Sequence, residues 1–239
     1  MTFSDTPTLV KQFTTTDSSY GAFQAPGASP APCAGSRARP YARRYKHLLD
    51  VSLVVLILPI VIPLVLILAC LVACDGGNPV YSQKRVGRAG RVFRLWKLRT
   101  MVPNADIQLA KYLAENPEAR AEWAVKQKLT NDPRITRVGS ILRKTSLDEL
   151  PQIFNVLSGD MSLVGPRPMM LDQKPLYPGR AYFALRPGIT GPWQVSDRNA
   201  SSFAARAEYD IAYYKSVSFT GDIRLLMATT RVVMCGTGC

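Results

Sequence analysis

The sequence predicts a predominantly helical α+β protein: a proline-broken, re-entrant N-terminal membrane helix and then a small membrane-associated domain of short strands and amphipathic interfacial helices. Three observations carry that expectation. Residues 51–73 contain no charged side chain, and roughly 20 apolar residues are what a membrane helix requires. Basic clusters flank this run on both sides. Beyond it, short β-favouring runs beside glycine-rich turns give way to longer helix-favouring stretches.

The elements follow in chain order. Residues 1–36 are rich in Thr, Ser, Pro, Ala and Gly without apolar periodicity, the composition of a disordered tail. No hydrophobic segment follows a basic start there, so a secretory signal peptide is not expected. Residues 37–76 form the anchor. Arg37, Arg39, Arg43, Arg44 and Lys46 precede the apolar run, and Lys84, Arg85, Arg88, Arg91, Arg94, Lys97 and Arg99 follow it. Lys and Arg favour the cytoplasmic side, so a straight span would misplace one cluster. Pro59 and Pro63 lie inside the run, where each removes a helical hydrogen bond. A helix broken near Pro63 would enter and leave by one face. Each arm would be about 18 Å long, against a hydrocarbon core of about 30 Å. A kinked spanning helix is the alternative.

Residues 77–239 read as a domain lying against the membrane. Strands are expected at 80–83 and 92–98 around a turn at 87–90, with a helix over 105–129 interrupted at Asn116 and Pro117. Further helices are expected at 135–142, 150–157, 203–215 and 222–234. The last carries Ile223, Leu226, Met227 and Val233 among basic residues, which suits an interfacial helix and a core-facing one equally.

Thirty Lys and Arg against seventeen Asp and Glu give a net charge of +13, so the partners should be polyanions: phosphorylated substrates, anionic lipids or nucleic acid. A 47% hydrophobic composition excludes global disorder. The single histidine, His47, lies beside the apolar run, which argues against His-based triads and excludes His-rich zinc sites. The five cysteines, at 33, 70, 74, 235 and 239, show no C-x-x-C spacing and suggest a reduced, cytosol-facing protein. Cys235 is not the start of a prenylation box.

Chemistry then falls to carboxylates and cations. Asp148 and Glu149 are adjacent, with Arg143 and Lys144 just before them and Pro151 just after. Two readings stay open. Asp148 could cap a helix whose first turn holds Pro151, and Ser146 with Glu149 has capping-box spacing. Alternatively the two acids hold a divalent metal while the cations receive phosphate oxygens. Leu147, Leu150, Phe154 and Leu157 would form an apolar stripe, leaving the acids facing a polar site. Arg167, between Pro166 and Pro168, sits on a stiff backbone that aims its guanidinium, and Arg186 repeats the theme. Trp193 is either buried or a base or sugar contact.

Four motifs occur in order: Lys97-Leu98-Arg99-Thr100-Met101, Ser146-Leu147-Asp148-Glu149-Leu150-Pro151-Gln152, the stretch from Gly159 through Gly165-Pro166-Arg167-Pro168, and Arg186-Pro187-Gly188-Ile189-Thr190-Gly191. From about residue 42 onwards the chain resembles the bacterial sugar transferases, monotopic phosphoglycosyl transferases, and within them the ExoY-like branch of exopolysaccharide assembly. The resemblance implies transfer of hexose-1-phosphate from a UDP-hexose (galactose first, glucose second) to undecaprenyl phosphate, with UMP released, on the cytoplasmic face of the bacterial inner membrane. It implies Asp148 as nucleophile, Glu149 with Asp148 on Mg²⁺, Arg143, Arg167, Lys97, Arg99 and Arg186 on phosphates, and Asp210 in a substrate-binding role. Anionic lipids, downstream glycosyltransferases and a second copy are the implied partners, and nucleic acid is not. Two departures stand out: Ile62 precedes Pro63 where the family often has Ser, and Asp197 stands where many relatives have Gly. The rival readings are a non-catalytic membrane-tethered scaffold, in which the dyad is only a cap, and a polyanion-binding protein.

Overall fold

Helix α1 (Lys46–Ala73) runs 28 residues with both Pro59 and Pro63 inside it, about 42 Å at the helical rise. The computed structural model describes residues 41–126, 129–196 and 205–234. Residues 1–36, Arg37, Arg39, Asp197 and the expected helix start at residue 203 lie outside them. The interruption expected near Pro63 is therefore not a break in the helix. The prolines withdraw the donors for two carbonyls one turn earlier, and packing on one side holds the rest of the ladder together.

That packing follows a single seam. Lys46, Asp50, Val54 and Val61 are buried, Leu58 and Val65 pack partly covered, and Val72 is buried near the C-terminus. These positions recur every three or four residues, one face of a helix. The opposite side, including Leu56, Ile60, Leu66 and Ile67, is exposed apolar surface. Only 11% of its most apolar 18-residue stretch is buried by the rest of the chain.

The remainder is mostly helical with a few short strands. β1 (Val80–Val86) and β2 (Val92–Leu98) form an antiparallel hairpin with Tyr81 opposite Lys97 and Arg85 opposite Phe93. β1 runs three residues past the expected 80–83. Phe93 and Leu95 face the α1 seam. Helices α2 (Ala105–Glu115) and α3 (Pro117–Lys126) are split at Asn116 as expected, because Pro117 cannot donate to the preceding turn. Helix α4 (Arg137–Thr145) is capped by Thr136, whose hydroxyl accepts from the Gly139 amide at 2.9 Å. It packs so closely on the strand end that a Cβ on Gly139 would lie 2.0 Å from the Thr100 carbonyl oxygen.

A 3-10 turn (Leu147–Glu149) leads into helix α5 (Gln152–Leu157). Its buried face is Ile153 and Val156, while Phe154 is 43% exposed, so Phe154 does not join the expected stripe. β3 (Ser162–Val164) pairs in parallel with β4 (Gly188–Thr190), a sheet the sequence reading lacks. Between them lies helix α6 (Ala181–Ala184), and after them come α7 (Pro192–Val195), α8 (Arg206–Ser216) and α9 (Phe219–Met234). The glycines of the two motifs explain the pairing: a Cβ on Gly165 would meet the Arg186 carbonyl oxygen at 2.3 Å. Helix α9 places Leu225 in the core and leaves Phe219 and Met227 exposed.

Candidate active site

Asp148 sits in the 3-10 turn and is buried, at 7% exposure. The turn arises because Ser146 ends α4 in the left-handed conformation, at φ 57°. Neither Ser146 nor Asp148 caps a helix: Ser146 makes no side-chain cap bond, and the N-cap of α5 is Pro151. The capping box does not form, so the dyad has no local structural duty of that kind.

Lys97, from β2, supplies the cation. Its Nζ donates to Glu149 Oε1 at 2.7 Å and reaches Asp148 Oδ2 at 3.5 Å. Among the described residues Asp148 meets no other hydrogen-bond donor. Burial pushes the Asp148 carboxyl above the usual carboxylate range, the Glu149 charge adds to that, and Lys97 and Arg143 pull it back. Arg143 is held by Thr100, whose hydroxyl accepts from Nε at 2.8 Å. Thr100 is itself 7% exposed and fixed through its carbonyl, which accepts from Thr136 at 3.1 Å.

Asn155 sets the spacing between dyad and lysine. From α5 its Oδ1 accepts from the Trp96 amide at 3.1 Å, and its Nδ2 donates to the Arg94 carbonyl at 2.7 Å. One side-chain amide thus extends the edge of β2 as a strand would. It clamps the helix that follows the dyad onto the strand that carries Lys97. Asn155 is 2% exposed.

The other predicted residues fall at various distances from this centre. Arg167 lies on the Pro166–Pro168 turn with its guanidinium 5.9 Å from the Trp193 ring centroid. Trp193 is half-buried, so it is neither fully core nor fully open. Arg99 donates to the carbonyls of Asn78, Met101 and Val72 at 3.0, 3.3 and 2.9 Å. These three bonds pin the C-terminal end of α1 to the domain. Arg186 donates to the Gly159 carbonyl at 3.0 Å, and its charged surroundings are Arg88 and Asp50, not the dyad. Asp210 is 3% exposed and accepts from Tyr177 at 2.7 Å. Burial raises its pKa to about 6. It lies inside the fold and faces the charge of Arg206.

The family model described as Bacterial sugar transferase matches residues 41–236. The chain belongs to that family. A UDP-galactose-lipid carrier transferase of Erwinia amylovora is 51% identical over 162 residues, covering 67% of this chain and 34% of the relative. An undecaprenyl-phosphate galactose phosphotransferase of Salmonella typhimurium is 50% identical over the same length, with the same coverage. The chain spans about a third of the length of these relatives. The exopolysaccharide production protein ExoY of Sinorhizobium fredii is 45% identical over 166 residues, covering 69% of this chain and 74% of the relative.

In this chain the sequence reading missed Thr100, Asn155 and Arg206. Thr100 was legible, since it stands inside the Lys97–Met101 motif. Asn155 and Arg206 carried no local signal, because their roles depend on partners 59 or 61 and 39 residues away.

Proposed function

We propose that the chain transfers hexose-1-phosphate from a UDP-hexose to undecaprenyl phosphate at the membrane surface, a priming step of exopolysaccharide synthesis. Galactose is the first candidate and glucose the second. The observation that carries this reading is a buried carboxylate, Asp148, that caps nothing and faces an ammonium and a second carboxylate.

Asp148 attacks the phosphorus that bears the sugar. A bond forms from its carboxylate oxygen to phosphorus, and the bond to the bridging oxygen breaks, with the electron pair leaving on UMP. A phosphate oxygen of the lipid then attacks the same phosphorus, and the Asp148–phosphorus bond breaks to regenerate the carboxylate. Burial and the Glu149 charge raise the basicity of Asp148, which favours attack, while Lys97 and Arg143 oppose that rise and favour the carboxylate form. Arg143 and Arg167 hold diphosphate oxygens.

Among the described residues no three His, Cys, Asp or Glu side chains converge. The dyad nevertheless suits Mg²⁺, which commonly takes one or two protein carboxylates and fills its other positions with water and substrate phosphate. Asp148 and Glu149 would hold it, and its charge would offset that of the diphosphate and the leaving UMP.

The α1 seam supports a monotopic anchor. Lys46 at one end and Val72 at the other are both bound to the same domain, which supports a helix that enters and leaves on that domain's side, with its uncovered apolar side toward lipid. The basic flanks of the apolar run favour the cytoplasmic face for that domain. Cysteines placed in either flank should label from the cytoplasm, and periplasmic labelling of one flank contradicts this topology.

Protein in nanodiscs with Mg²⁺, undecaprenyl phosphate and a panel of UDP-hexoses should release UMP, and chelator should abolish the release. No UMP from any UDP-hexose overturns the function. A phosphosugar adduct on a residue other than Asp148 overturns the nucleophile alone.

A further inference from the structure

Two arginines outside the predicted site converge on the turn that carries Arg167. Arg85, on β1, donates from Nη1 to the Pro168 carbonyl at 3.3 Å and from Nη2 to Gln83 Oε1 at 2.7 Å. Its Nε is buried without a hydrogen-bond partner. Arg206, on α8, donates from Nη2 to the Arg167 carbonyl at 2.7 Å. Consecutive carbonyls of one stiff turn are thus taken by guanidiniums from two different elements. The Arg206 guanidinium also lies 5.0 Å from the Trp193 ring centroid, so Trp193 meets Arg206 as well as Arg167.

The charge balance of this cluster is unusual. Asp210 offsets Arg206, but among the described residues no carboxylate is ion-paired with Arg85 or Arg167. Burial, and then the Arg167 charge, pull the Arg85 guanidinium below its ordinary pKa. Partly buried like charges held by neutral carbonyls leave a positive potential that an anion would satisfy. The hairpin register puts Arg85 on the same face as Lys97, since Phe93 opposite Arg85 and Lys97 opposite Tyr81 alternate in step. At about 3.3 Å per residue the two are about 13 Å apart along the strands. The cluster therefore lies beside the dyad and outside its immediate contacts.

We propose that Arg85 is a phosphate-binding residue of the donor subsite, completing with Arg167 and Arg206 a three-guanidinium cradle for the diphosphate of a nucleoside diphosphate sugar. Arg206 is the positioning member, holding the turn and stacking on Trp193. This rests on the transferase reading above and assigns the part of the chain that receives the donor.

The test is UDP binding by calorimetry and steady-state UMP release, both on the full chain in nanodiscs. Arg85→Gln should weaken UDP about tenfold and raise the KM for UDP-hexose by a similar factor, with kcat changed less than about twofold. Arg85→Lys should fall between Arg85→Gln and the unaltered chain, because it keeps the charge and loses the fork. Inorganic pyrophosphate should compete with UDP. Unaltered UDP affinity in a folded Arg85→Gln protein overturns the proposal, and so does an unaltered chain that binds neither UDP nor pyrophosphate. If Arg85→Gln does not fold, phenylglyoxal modification of the unaltered chain decides. UDP should slow modification of Arg85 severalfold, and equal modification with and without UDP overturns the cradle. UDP binding that depends on Arg85, in a chain that releases no UMP from any UDP-hexose, would sink the transferase reading and leave the cradle standing.

Discussion

Two lysine–carboxylate pairs in this molecule differ in how far their carboxylates are satisfied. Lys46 meets Asp222 at 2.5 Å with side chains 8% and 3% exposed, and Asp222 also accepts from Tyr41 at 2.7 Å and Tyr213 at 2.6 Å. Lys97 meets Glu149 at 2.7 Å with side chains 23% and 25% exposed, and reaches Asp148 only at 3.5 Å. The first carboxylate is saturated with three donors and sealed, so it fastens the start of α1 to α9. Asp148, by contrast, keeps acceptor capacity for a metal or a phosphorus centre. Saturation suits a carboxylate to a structural role, and an unmet acceptor beside a cation leaves Asp148 open to the role proposed above.

Substitutions should separate the two pairs. The largest effect is expected from Asp148→Asn, which should cut UMP release by roughly 10⁴-fold or more while leaving thermal unfolding and membrane extraction unchanged. Residual turnover near that of the unaltered protein would remove Asp148 from the reacting set. Lys46→Met leaves Asp222 buried without its cation, and should cost about 3–5 kcal/mol in unfolding experiments without changing kcat per folded molecule. A fall in kcat with stability intact would mean that the two pairs are not separate in role.

Asn155→Ala bridges the comparison, because Asn155 is a buried group that ties the helix after the dyad to the strand that carries Lys97. Loss of its two bonds to β2 should cost about 1–3 kcal/mol of stability and also lower kcat. A loss of stability with unchanged kcat would show that the Lys97–Glu149 spacing does not depend on the clamp. The smallest effect concerns pH. The Asp210 pKa of about 6 in the folded chain exceeds its ordinary value, so the folded state binds this proton more tightly than the unfolded state. Its stabilising contribution is complete below the ordinary carboxylate pKa of about 3.9 and is lost as pH rises through about 6. Asp210→Asn should flatten stability across that window, and an unchanged profile would place Asp210 in a more polar setting than its burial indicates.

How much of this was legible depended on where each signal lived. The dyad was visible because Asp148, Glu149 and Pro151 are neighbours, and the split at Asn116 because Pro117 acts locally. The capping box was misleading for the same reason: Ser146 and Glu149 have its spacing, yet the left-handed turn at Ser146 points the backbone elsewhere. Lys46 looked like part of a lipid-facing basic flank, but it is the buried partner of Asp222, 176 residues away. Arg99, expected on a phosphate, donates to three backbone carbonyls, one of them Val72 at the C-terminal end of α1, a contact with no local signal. Charge is readable from composition, whereas its partner is set by a long-range contact.

The apolar run, its basic flanks, the acid pair and the ordered motifs all stand in the linear chain, and they were enough to point to the family and to an α+β fold with one helix long and apolar enough to cross a membrane. Which side of α1 meets the domain could not be read there, because residues 51–73 are apolar on every face and periodicity carries no information when all positions are alike. The tertiary structure decided that seam, the parallel pairing of β3 and β4, and which of several equal-looking arginines stand near Asp148. Each depends on groups distant in sequence competing for one place, and a buried charge or an exposed backbone amide settles only where its partner is found.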